Sequence, residues 1–151
     1  RGDGPVPRGR AVPAKADPPA DAAQRRKKRI RALCLWHFKP GGGPGYCEGC
    51  REEGAACAQG EVGPSGERCS YREHALQTVE EHQAWDVLMA CLGQLRLAPS
   101  GHVVGIDMTA ALHVAKARGC DLAVVSELMS VAEIGILEAL AERSADKTDQ
   151  A

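Results

Sequence analysis

The segment from Lys39 to Glu67 constrains this chain more than any other, because it holds nine Gly and three Pro. Backbone so permissive and so often interrupted sustains neither a long helix nor a regular strand. It is ordered only if something staples it. It also divides the 151 residues into unlike parts. Residues 1–22 are Pro, Gly, Ala and charge, a composition that cannot bury enough apolar area to offset chain entropy, and they read as disordered.

Beyond Tyr71 the character changes. Arg72 to Leu97 has no Pro and no Gly before Gly93, and Trp85, Leu88, Met89, Leu92 and Leu95 recur at helical spacing. This predicts the longest helix. Pro99, Ser100 and Gly101 end it, and HVVGI from His102 to Ile106 reads as a short strand or an extended loop. Asp107 is placed to cap a helix with Met108, Ala111, Leu112 and Ala115 inward, closed by Gly119. Asp121 caps a short helix with Leu122, Val125 and Leu128 inward. Ser130 with Glu133 reads as a capping box opening a last helix through Ile134, Leu137 and Leu140. With one Phe, two Tyr and two Trp, the core must come from Leu, Val, Ile, Ala and Met, which favours helices. The expected fold is mainly α: a four-helix domain over 71–143 and a frayed tail at 144–151. Ahead of them lie a disordered basic arm at 1–32 and an irregular Cys/Gly-rich segment at 33–70.

Seven Cys in a chain with no signal-peptide-like stretch point to a reducing, cytoplasmic setting and to thiols or metal rather than a disulfide framework. Cys47-Glu48-Gly49-Cys50 has the two-residue spacing that lets both thiolates reach one tetrahedral Zn²⁺. Cys57 and Cys69 are the natural third and fourth ligands, with Cys34, His37 and His74 in reserve. A structural zinc would supply the missing staple, since metal binding provides folding free energy. A thiol-bearing loop or a redox dithiol remains open as an alternative. Cys91 and Cys120, among apolar neighbours, read as core.

Charge is distributed unevenly. Residues 1–31 carry ten Lys/Arg against three Asp/Glu, and the remainder nine against seventeen. Gln24 to Ala32 is placed to continue as a short helix into Leu33, Leu35 and Trp36, and within it Arg25, Arg26, Lys27, Lys28, Arg29 and Arg31 fill six of seven positions, which reads either as a polyanion contact, nucleic acid included, or as a solvated tail. Glu80, Glu81 and Asp86 read as solvated surface on the long helix. His82, His102 and His113 are scattered singly, and no phosphate-binding or dinucleotide motif is present. An enzyme is therefore not expected. No apolar run approaches the roughly 18 residues that a membrane span needs. Arg1 in place of Met fits a fragment, a processed chain, or a frame entered without its own start codon.

Three stretches, HQAWDVLMACLGQLR, GHVVGIDMTAALHVAKARGCD and SELMSVAEIGILEAL, form a further pattern between Arg68 and Leu140. It resembles the minor tail-assembly proteins of tailed bacteriophages. In these, a Trp-bearing helix ends in Gln-x-Arg, a Gly-Leu-Asp-like turn follows, and a final helix carries a Glu. Trp85, Gln94, Arg96, Gly105, Ile106, Asp107 and Glu133 occupy those places. Ile106 and Met108 stand where Leu and an aromatic are usual, and Leu95 where Trp is usual. The resemblance implies a tail-assembly chaperone that binds the tape-measure protein and helps recruit tail-tube subunits. The alternative is a small zinc-containing nucleic-acid-binding regulator. A third reading, an oxidoreductase using Cys47 and Cys50, follows from the dithiol. On the residues alone, Arg96 pairing with Asp107 and Gln94 bonding backbone carbonyls would make those side chains architectural, and Trp85 would be core.

Overall fold

The computed structural model of the chain describes residues 19–54 and 70–149. Its secondary structure is mainly helical, as the sequence leads one to expect, but the helices are not all where periodicity puts them.

The first helix, α1 (Pro19–Phe38), occupies ground read above as arm and irregular segment. Ile30, Leu33, Cys34 and Trp36 are buried along it. The stripe continues toward the N-terminus through Arg26 and Lys27, both half-buried. Long basic side chains can be half-buried by their aliphatic stems and keep the charged head in water or on an acidic partner, so a core-facing helix is written here in basic residues. The reading of 1–32 as a disordered arm is thus corrected for residues 19–32; the rest of that arm lies outside the described residues. Next comes α2 (Gly43–Glu52), a ten-residue helix inside the Gly-rich segment. Pro44 sits in its first turn, where a missing N–H costs nothing. Its exit is Gly54 at φ +66°.

The long helix expected from Arg72 is in fact a single turn, α3 (Ser70–Glu73), then a break, then α4 (Val79–Ala90). Thr78 and Glu81 form a capping box that sets the true start. Past the C-cap at Cys91 the chain turns, with the Gln94 N–H donating to the Cys91 carbonyl at 2.8 Å. Strands β1 (Leu95–Leu97) and β2 (Val103–Ile106) then form an antiparallel hairpin, with Leu95 opposite Ile106 and Arg96 opposite Gly105. The register shifts between Arg96 and Leu97, which pairs with Val103. Gln94 and Arg96 therefore lie on a turn and a strand rather than at a helix end.

Asp107 caps α5 (Met108–Ala117) by accepting from the Ala110 N–H at 3.0 Å, and Gly119 follows at φ +69°. Asp121 then accepts from Ala123 and Val124 to open α6 (Leu122–Asp149). The two helices expected here are one. Ser130 does not start a new helix; its hydroxyl donates back to the Ser126 carbonyl at 2.9 Å within the same helix. The unbroken phase buries Val125, Leu128, Met129, Ala132, Ile136 and Ala139, and leaves Ile134 exposed together with Leu122, the latter expected inward. The helix also runs on through most of the tail expected to fray.

α6 is the central element, with α1 along one side and α4, α5 and β2 on others. The core joins Ile30 and Cys34, Val87 and Leu88, Ile106, Ala111 and Ala115 to the buried face of α6. Cys91 is buried in it and Cys120 packs against it, as expected of small core residues. Among the described residues no helix is long and apolar enough to cross a membrane.

Candidate functional site

Four of the residues that carry the resemblance, Arg96, Gly105, Ile106 and Glu133, meet in space. Glu133, half-buried on α6, accepts the Ile106 N–H at 2.7 Å and the Arg96 guanidinium at 3.3 Å. Arg96 in turn donates through Nε to the Ile106 carbonyl at 3.1 Å. Both outward backbone groups of Ile106 are thereby closed by side chains from two other elements. Arg96 pairs with Glu133, not with Asp107, whose carboxylate is committed to the cap of α5. Gln94 contributes its backbone carbonyl, which accepts from the Asp107 N–H at 3.0 Å. A Cβ at Gly105 would meet the Glu133 carboxylate and the Arg96 guanidinium, so the ends of those two side chains would have to shift to admit it. Trp85 stands apart, half-buried, its ring edge-on to His37 at 5.0 Å and tilted against Phe38 at 6.4 Å.

A cleft of about 600 Å³ opens beside Trp85. Leu33 and His37 of α1 form one wall, Cys47 and Arg51 of α2 another, and Ala75 and Leu76, His82 and Trp85 the third. His82 is oriented by Nδ1, 2.8 Å from the Thr78 carbonyl at the start of α4. Burial pushes the His37 imidazole below its ordinary pKa, favouring the neutral ring. Sequence reasoning missed this cleft because its walls are brought together by four separate elements.

Of the four cysteines expected as metal ligands, the described residues include two. Cys47 and Cys50, one turn apart on α2, are both half-exposed. Cys57 and Cys69 lie outside the described residues. Cys34, held in reserve as a ligand, is a core residue with no exposure, and burial pushes its thiol up to about 12. His37 packs on aromatic rings, and His74 stacks near Trp36 at 5.9 Å. Among the described residues no group of three or more His, Cys, Asp or Glu is placed to hold a metal ion.

The basic run is largely committed within the molecule. Lys27 pairs with Glu127 at 2.9 Å, Arg29 with Glu81 at 2.6 Å, Arg31 with Glu138, and Arg25 with Asp21. Arg26 is half-buried and Lys28 exposed. Glu81, read from sequence as solvated, is a charged residue buried in the core. Burial alone would raise its pKa. The Arg29 hydrogen bond and the N–H groups of Gln77 and Thr78, at 2.7 and 2.8 Å, outweigh that and lower it. A signal for Glu81 existed, since Thr78-x-x-Glu81 is a capping-box spelling.

Comparison with known families adds one finding. Residues 97–149 match DUF7697, a family of unknown function. The match spans about a third of the chain and takes in β2, α5 and α6, with Gly105, Asp107 and Glu133, but neither Trp85 nor the cysteines of α2. No curated protein and no solved structure matches the chain.

Proposed function

We propose that this chain is a non-catalytic protein-binding module of the phage tail-assembly chaperone kind, whose partner is the tape-measure protein. One observation carries the reading. Residues singled out by the resemblance, from Arg96 to Glu133, interlock into one unit across 37 positions of sequence. A pattern that fixes a hairpin on a helix is the kind of pattern a shared fold preserves. The roles of these residues are consumed by that architecture, which leaves binding to the surface around it. Genomic context tests the reading first: the frame should lie just upstream of a very long helical reading frame. Co-expression with that neighbour should then co-purify the two proteins; a neighbourhood of metabolic or regulatory genes, or repeated failure to co-purify, sinks it.

In this reading Zn²⁺ is structural, taken by Cys47 and Cys50 of α2 together with Cys57 and Cys69. Elemental analysis of purified protein should give one zinc per chain, lost with Cys47→Ser. A metal-free, fully folded protein removes zinc from the account. The nucleic-acid alternative is weakened by the internal pairing of Lys27, Arg29 and Arg31. It predicts salt-dependent binding to DNA or RNA, which a filter-binding series in rising salt would detect.

A further inference from the structure

We infer that the cleft between α1, α2 and α4 is a docking groove for a segment of a partner protein that presents an apolar side chain next to a carboxylate. Its lining is partly apolar, with Leu33, Leu76 and Trp85 contributing to it. The indole packs edge-on to His37, itself a wall of the cleft, and against Phe38, so it is set in place before any ligand arrives. A preorganised aromatic in a concave, largely apolar site is the usual centre of a protein interface. Among the described lining residues Arg51 is the one Lys or Arg, and none is a carboxylate. An anionic group beside the apolar anchor meets that guanidinium; a cationic one is repelled. At about 600 Å³ the groove accepts a few side chains rather than a whole helix.

The inference rests on the protein-binding reading above, and the two can fail separately. The test uses the full chain, isotopically labelled, titrated with a short amidated amphipathic peptide bearing Leu on one face and Glu on the other. A counterpart with Lys in place of Glu is titrated in parallel. Saturable shifts should centre on the Trp85 indole, Leu76 and Cys47, and the Lys peptide should bind at least about tenfold more weakly. Arg51→Glu, an exposed substitution that leaves the fold intact, should reverse the preference. Equal binding of both peptides, shifts centred on the exposed Leu97, Val104 and Ile134, or no saturable shift overturns the inference. Concentration-dependent shifts without peptide, the mark of a second copy in the groove, overturn it as well. If the tape-measure protein co-purifies equally with the Arg51→Glu variant, the groove is excluded while the chaperone reading stands.

Discussion

Glu81 illustrates how a single carboxylate can tie three parts of this molecule together. It completes the cap of α4, bonds the Gln77 and Thr78 N–H groups, and receives Arg29 from α1, all without solvent exposure. Glu81→Ala leaves a guanidinium and two backbone donors without their partner and should cost about 3 kcal/mol in urea unfolding. Because its folded pKa is lowered, its contribution is fully present above the ordinary Glu value of about 4.3 and is lost as pH falls through the folded value. Glu81→Gln should therefore be less stable near neutrality and show a flatter acid limb; an unchanged acid limb would contradict the pairing. Cysteine reactivity follows from burial in the same way. Brief alkylation of the protein at mildly alkaline pH after treatment with a zinc chelator should label Cys47 and Cys50 and spare Cys34 and Cys91, read by peptide mass mapping, while bound zinc should protect Cys47 and Cys50. Labelling of Cys34 at the rate of Cys47 would mean that α1 does not stay docked.

The contact between α1 and α6 is the decisive one among elements, and it depends on Gly135. A Cβ at that position would lie 2.5 Å from the Arg31 carbonyl and 3.0 Å from the Cys34 Cβ, so the two helix backbones must move apart to admit it. Gly135→Ala should destabilise by about 1–3 kcal/mol in denaturant melts, although Ala is the better helix former. A neutral or stabilising result would show that α1 can shift freely along α6. The hairpin is attached to α6 by one carboxylate. Glu133→Ala removes the acceptor for the Ile106 N–H and should cost about 1–2 kcal/mol, with amide exchange quickened in β2 before it quickens in α4.

Across the whole molecule, residues 19–38 form part of the core. Removing residues 1–32 deletes Ile30 and most of the helix that covers α6, and should abolish the cooperative thermal transition. A truncated chain that melts as sharply as the full one would restore the view of this region as a dispensable arm. The basic residues of α1 and the acids Glu81, Glu127 and Glu138 also change the meaning of the uneven charge. What looks in sequence like a cationic arm beside an acidic body is, in the fold, a set of contacts between the two.

Legible in the sequence alone were the helical class, the cap at Asp107, the stop at Gly119, an extended segment at HVVGI and the core placement of Cys91. Each rests on local chemistry: a side chain that bonds the next turn, a backbone angle open to Gly, an apolar residue in a periodic run. Only the tertiary structure decided that Arg26 and Lys27 lie on a core-facing stripe, that Glu81 is buried, that α6 runs unbroken past Ser130, and that Arg96 belongs to Glu133. These depend on a partner distant in sequence. A stem that packs or a carboxylate that is satisfied looks, without its partner, the same as one in water. The Trp85 cleft belongs with this second group, since its walls are adjacent only once four elements have folded around it.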